Sequence, residues 1–246
     1  MDPLTITAAG GMRARLESLD LLANNISNAA TAGYKADREF YGLYVSEEAA
    51  LAAADNRSDA LTLPVVEKNW TDHSQGVVTM TGNSMDLALS GKGFFSVNGP
   101  DGPLYTRDGG LRVSSLGVVE SRAGYPVRSE GGAPIKAEPG IPLEFKPDGS
   151  VFQNGKSLGR LELSSMKKPE AMAKEGGNYF RLTDPAGLTK ADSVQVVQGG
   201  LEASNAGPAE SAVRLVGVLR QFEMLQRAVA MGGEMNKKAV EEVARP

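Results

Sequence analysis

The sequence predicts an α+β protein. Paired amphipathic helices, coiled-coil-like, form its N- and C-terminal ends around a central all-β domain of barrel or sandwich type. Three observations predict this. Apolar residues near both termini recur at helical spacing. The stretch between them is cut into short β-branched and aromatic runs by Asp-Gly dipeptides. With 29 glycines and 13 prolines in 246 residues, turn density is high.

The first helix is expected over residues 4–30. Met12, Leu16, Leu19, Leu22 and Ile26 follow one another at spacings of 4, 3, 3 and 4, which is one face of a helix. Arg13, Arg15, Glu17 and Asp20 lie mostly off that stripe. Asn24, Asn25 and Asn28 crowd the last turn, and Asn24 and Asn28 share a face as i,i+4 neighbours. Gly33 follows, and both Asn and Gly accept the left-handed conformation that ends a helix. Taken alone, this is ordinary capping.

The connecting stretch carries weaker signals. Phe40, Tyr41 and Tyr44 suit either a helix tail or an extended segment. Residues 46–57 are alanine-rich and read as a linker or a surface helix. β-Branched residues appear within 61–66, with Pro64 placing them at an edge or a strand start. Residues 70–76 form a turn-containing connector that holds His73, the single histidine.

From Val77 to Val197 short strands alternate with tight turns. Strands are expected at 87–90, 94–98, 118–120, 125–128, 143–145, 151–153, 158–163 and 179–182. Asp101-Gly102, Asp108-Gly109 and Asp148-Gly149 are hairpin signals, because Asp-Gly supplies the positive-φ residues of such turns. One short helix is expected within Ser164–Lys174.

The last helix is expected over residues 209–243, with Pro208 just before its start suited to a helix entry. Leu215, Phe222, Val229, Asn236 and Val243 at heptad position a place Val218, Leu225, Gly232 and Ala239 at d. The seam runs for about four heptads, with Asn236 suited to fixing register. Gly232-Gly233 weakens it by about 1 kcal/mol per glycine relative to alanine. A helix of this length spans roughly 50 Å at about 1.5 Å per residue, more than a small β domain. Part of its apolar face therefore needs another helix, and the N-terminal one is available.

Several functions are excluded or disfavoured. A net charge of −4 provides no basic footprint for nucleic acid or an anionic membrane. Zero cysteines remove disulfides, thiol nucleophiles and cysteine metal sites. One histidine leaves no histidine pair for a metal and almost no room for a Ser-His-Asp triad. Ser90-Gly91-Lys92-Gly93 lacks the spacing of a phosphate loop, and no calcium-loop pattern occurs. No apolar run is long enough to span a membrane, and Met1-Asp2-Pro3 does not begin a cleavable secretion signal. No cofactor or metal is expected. Paired carboxylates among 30 acidic residues leave a cell-wall polymer hydrolase open. A coiled-coil binding module forming a closed oligomer is the other alternative.

The motifs, taken in order, resemble the axial proteins of the bacterial flagellum, its rod and hook family. At the N-terminus the resemblance rests on Ala23–Asn28 with Thr31, Gly33, Tyr34 and Lys35. In the centre it rests on Asp86–Phe95, Tyr105–Gly109 and Gly124–Val127. Near the C-terminus it rests on Gly200–Asn205 with Pro208, Arg220–Glu223, Glu234-Met235 and Lys238-Ala239. It implies a structural, non-enzymatic rod subunit in the flagellar basal body, where the rod crosses the periplasm. Export through the flagellar type III apparatus without a cleaved signal is implied too.

The implied partners are copies of itself and other rod and hook proteins. Length points to the two rod proteins of intermediate length, and the Arg220-Gln221-Phe222-Glu223 wording favours the proximal over the distal one. Ala206-Gly207-Pro208-Ala209 departs from the family's usual Val-Asn-Pro-Val.

The expected layout is a discontinuous helical assembly domain (1–35 and 208–246), connecting segments (36–80 and 195–207) and a β-rich domain (81–194). Assembly contacts are expected from Met12, Leu16, Leu19, Leu22, Asn24, Asn25, Ile26, Asn28, Gly33 and Tyr34. At the other end they are expected from Leu215, Val218, Phe222, Leu225, Val229 and Met235. The asparagines would bond between subunits. The helical ends are expected to be largely disordered in the monomer and to order as neighbours supply their missing faces. Repeated, non-closing contacts then build a helical tube, with helices inside and β domains outside.

Overall fold

The computed structural model describes residues 3–45, 62–167, 171–183, 187–191 and 193–243. The alanine-rich stretch expected as a linker lies outside these residues. Contacts divide the chain into two compact units. One comprises residues 1–27, 37–70 and 207–246, and the other residues 28–36 and 71–206.

The first unit is built on two helices, α1 (Pro3–Ser27) and α2 (Pro208–Val243), which pack along each other. Neither is long and apolar enough to cross a membrane. With them goes an antiparallel pair of strands, β1 (Asp37–Val45) and β2 (Thr62–Thr71). The Phe40–Tyr44 stretch is therefore extended.

The buried face of α1 is not the one marked by its large residues. Ala8, Gly11, Ala14, Ser18, Leu22 and Asn25 are buried, whereas Leu16 is 49% exposed. The helix is turned about a quarter of the way round from the Met12–Ile26 stripe. Small side chains let α2 come close: a Cβ on Gly11 would lie 3.3 Å from Leu225 Cδ1. The Ser18 hydroxyl donates back to the Ala14 carbonyl (2.9 Å), so its burial leaves no unmet donor.

In the second unit β3 (Val78–Met80) and β4 (Leu87–Ser90) are followed by β5 (Phe94–Gly99) and β6 (Gly102–Thr106). Then come β7 (Leu111–Val113), β8 (Val119–Ser121), β9 (Glu144–Phe145), β10 (Ser150–Gln153) and β11 (Lys156–Arg160). The chain continues through β12 (Leu163–Met166), β13 (Met172–Gly176), β14 (Tyr179–Leu182) and β15 (Leu188–Lys190). It ends with β16 (Gln195–Gln198) and β17 (Gly200–Glu202). The largest sheet has six strands in the order β13-β14-β6-β5-β12-β15. Beside it stand the three-stranded β11-β10-β9 sheet and the pairs β16-β4, β17-β3 and β7-β8. No closed barrel forms among the described residues.

Alternation along the strands feeds two cores. Phe95, Leu104 and Tyr179 join the main cluster with Leu87, Leu89, Val119 and Val151. Their neighbours Phe94, Tyr105 and Phe180 join a second cluster with Met172. Between Ser96 and Ser164 a 2.9 Å hydroxyl pair closes the buried gap.

The short helix expected within Ser164–Lys174 falls partly on residues 168–170, which lie outside the described residues, and the described flanks form β12 and β13. β12 pairs with the distant β5 and β15, and β13 with the adjacent β14. One expectation for this unit is overturned: Asp108-Gly109 does not close a hairpin. Gly109 is where the chain passes from β6 to β7 against Leu87, whose carbonyl oxygen would be 1.9 Å from an added Cβ. Asp101-Gly102 does sit in the β5–β6 turn, and Asp148-Gly149 turns β9 into β10.

Candidate functional site

Two arrangements bear on function, one in each unit. In the helical unit, Ser211, Val218 and Gly232 of α2 are buried. Leu215, Phe222, Leu225 and Val229 are half-buried between them, at steps of three and four. On α1, Leu22 is buried, Met12, Leu19 and Ile26 are half-buried, and Asn24 is exposed. Asn25 is turned inward. Its side-chain amide donates to the Asp37 carbonyl (2.8 Å) and accepts from the Asp37 N–H (3.0 Å), fixing the start of β1. That pairing is internal, where a bond between subunits was expected. Arg214 of α2 pairs with Glu39 of β1 at 3.3 Å.

The heptad reading does not reveal a second apolar face on α2. Val213, Met224, Met231 and Met235 are 74%, 59%, 62% and 69% exposed. At about 100° per residue they fall on the side of the helix opposite the seam. Asn236, expected at a seam position, is exposed as well. The signal was present in the sequence as large side chains left over once the a and d positions are assigned.

In the β-rich unit, three separate sequence motifs converge on one buried ion cluster. Lys35 and Glu202 are completely buried and Arg107 nearly so. Glu202 Oε1 accepts from Lys35 Nζ (2.5 Å) and from the Gly76 N–H (2.9 Å). Its Oε2 accepts from Arg107 Nη1 (2.8 Å). Lys35 also donates to the Ser74 carbonyl (2.6 Å), and Arg107 to the carbonyls of Leu89 and Gly91. Burial pulls Lys35 and Arg107 below their ordinary pKa values, and the Glu202 carboxylate opposes both shifts.

Backbone geometry holds this cluster in place. Gly33 has φ +66°, and a Cβ there would meet the Arg107 carbonyl carbon at 2.3 Å, so only glycine fits. Its N–H donates to the Glu202 carbonyl (2.7 Å). Asn205 binds the same segment, accepting from the Ala36 N–H (2.7 Å) and donating to the Asp72 carbonyl (2.7 Å). Tyr34 is buried with Ala36 and Ala206, and the Lys174 ammonium lies 4.6 Å from its ring centre. Asn28 accepts from Thr31 through its carbonyl and its side chain, closing the turn after α1.

His73 flanks the cluster. Its ring meets Phe94 and Phe180 edge-on at 5.6 and 5.3 Å, and its Nδ1 has no partner. Burial, followed by the nearby Lys35 and Lys174 charges, lowers its pKa to about 4. The charged groups of the cluster hold one another and the backbone, an arrangement suited to fixing structure. Among the described residues no group of three His, Asp or Glu side chains is placed to hold a metal ion.

Comparison with known proteins places these features. Residues 7–35 match the family model described as flagella basal body rod protein. Residues 88–153 match the flagellar hook protein FlgE/F/G D1 domain. Residues 197–242 match the flagellar basal body rod FlgEFG protein C-terminal model. The chain is 34% identical over 232 residues to the flagellar basal-body rod protein FlgF of Caulobacter vibrioides, covering 92% of each. It is 30% identical to the FlgG rod protein of Borreliella burgdorferi, over 93% of this chain and 94% of that one. To FlgG of Buchnera aphidicola from Acyrthosiphon pisum it is 26% identical, over 93% and 95%. Lys35 ends the first matched segment, Arg107 lies in the second and Glu202 in the third. The chain belongs to the flagellar basal-body rod proteins, a family of structural subunits and not of enzymes.

Proposed function

We propose that this rod subunit polymerises through its terminal helices, with the α1–α2 seam serving as a coiled-coil-like assembly domain. The observation that carries the reading is the second apolar face of α2. A helix that buries one side within its own chain while exposing Val213, Met224, Met231 and Met235 on the other is built for further helices. Complete burial of such a side chain contributes roughly 1.5–3 kcal/mol, so a repeated contact over several of them holds subunits together. Seam residues Leu215, Val218, Phe222, Leu225 and Val229 act within the chain, and Met235 acts between chains. Partners are copies of the same chain and neighbouring rod and hook proteins.

We place the subunit in the proximal rod, on the Arg220-Gln221-Phe222-Glu223 wording and the departure at 206–209. Delivery is through the flagellar type III apparatus. Electron microscopy of basal bodies from cells lacking the gene tests the placement. The expected result is a truncated rod without hook or filament, its stub length marking the proximal position. Complete basal bodies would overturn it. The helical face is tested by Met224→Gln, Met231→Gln and Met235→Gln combined. The expected outcome is an unchanged monomer, within about 0.5 kcal/mol in unfolding, with rod assembly lost. Normal assembly would refute the role given to this face.

A further inference from the structure

The stretch from Val194 to Ala206 bonds to several separate parts of the β-rich unit. β16 is the only strand paired with β4, and β17 the only one paired with β3, among the described residues. β4 carries Leu87 and Leu89, both fully buried at the centre of the main core. The Val196 N–H donates to the Pro147 carbonyl (2.9 Å). The Gln198 side chain accepts from the Phe145 N–H (3.1 Å) and donates to the Leu143 and Ser84 carbonyls (both 2.8 Å). Among the described residues, Glu202 supplies the only carboxylate that forms an ion pair with buried Lys35 and Arg107. Asn205 ties residues 34, 36 and 72 together. Removing the stretch leaves β3 and β4 without partner strands and deprives buried Lys35 and Arg107 of the Glu202 carboxylate.

We propose that residues 194–206 are the closing segment of the β-rich unit, so that the unit stays open until this late part of the chain arrives. A chain made or delivered N-terminus first presents β3 to β15 before their closing strands. β3 and β4 then hold their edges unpaired, and Lys35 and Arg107 resist burial without Glu202. Closure then comes with the last segment, directly before α2 begins at Pro208. The unit therefore locks only as the assembling helix becomes available. The inference does not rest on the rod reading and stands or falls separately from it.

Pulsed hydrogen exchange during refolding of the full chain, read by mass spectrometry of peptides, tests the proposal. The expected result is that β5–β8 and β9–β12 gain protection in the same phase as residues 194–206. Glu202→Gln should slow that common phase about tenfold or more, since the transition state then buries two cations with no anion. Gln198→Ala should slow it by less, and decides the matter if the Glu202 variant does not fold. Arg112→Ala, which breaks only the exposed pair with Glu120, should leave the rate unchanged. Earlier protection of β5–β8 or β9–β11 would overturn the proposal. So would closing-segment variants that fold at the wild-type rate and only unfold faster.

Discussion

Acidification should loosen the β-rich unit through His73 before its carboxylates alone would do so. The folded protein holds this imidazole at a pKa of about 4, against 6.5 ordinarily. The unfolded chain therefore binds the proton more tightly, and between those values stability falls as pH falls. The contribution is fully present above about pH 6.5, where the ring is neutral in both states. Linkage gives a loss of about 2 kcal/mol by about pH 5 and about 3 kcal/mol near pH 4. The origin is visible in the structure. A protonated ring would sit between Phe94 and Phe180 with Lys35, Lys174 and Arg107 nearby, and Asp72 alone to offset them. The assay is urea unfolding followed by circular dichroism from pH 7 to about pH 4, on wild type and His73→Phe. Phenylalanine keeps the edge contacts and removes the titration, so losses from carboxylates common to both proteins cancel in the difference. Wild type should lose about 3 kcal/mol more than the variant. A gap between the two proteins that does not change with pH would refute the reasoning.

Two further predictions concern glycines that stand at close approaches. Gly33→Ala should destabilise the β-rich unit by about 2–4 kcal/mol in urea unfolding, from left-handed strain and displacement of the Arg107 backbone. Gly11→Leu should wedge α1 away from Leu225 and cost about 1–3 kcal/mol. That loss should be read in the helical circular dichroism signal, with tertiary signals from Tyr105 and Tyr179 unchanged.

The sequence made the ends of this protein legible to different degrees. In α2 the heptad spacing of Leu215, Val218, Phe222 and Leu225 identified the buried seam, because large side chains at steps of three and four admit one packed face. In α1 the same rule misled. Close packing there uses Ala8, Gly11, Ala14 and Ser18, and small residues leave no trace in a search for large apolar ones. Asp101-Gly102 and Asp148-Gly149 turned as expected, while Asp108-Gly109 used the same dipeptide for a close backbone approach. Local sequence does not separate those two uses of glycine. The ion cluster was out of reach for a plainer reason. Lys35 and Arg107 meet Glu202 across 167 and 95 residues, and no periodicity links positions so far apart. The family resemblance had marked all three motifs that hold these residues, without showing that they meet.

Why bury two cations against one carboxylate, when apolar side chains of like volume would stabilise the unit as well or better? The position of the cluster supplies an answer. Glu202 and Asn205 grip residues 33–36, which follow α1, and stand just before Gly207 and Pro208, where α2 starts. The segment after α1 and the segment before α2 are thus bonded to each other within the β-rich unit, by bonds with fixed direction rather than by apolar contact that tolerates sliding. Replacing Lys35, Arg107 and Glu202 together by Met, Leu and Leu separates the two roles. The expected outcome is an unfolding free energy equal to wild type or higher by about 1–4 kcal/mol. Faster exchange at the amides of Gly33, Ala36 and Ala203 should accompany it, and rod assembly should fall. A variant that is equally stable and assembles normally would show that the cluster gives assembly nothing that apolar side chains do not. One that unfolds would show that the charges stabilise the unit outright, against the general cost of burying them.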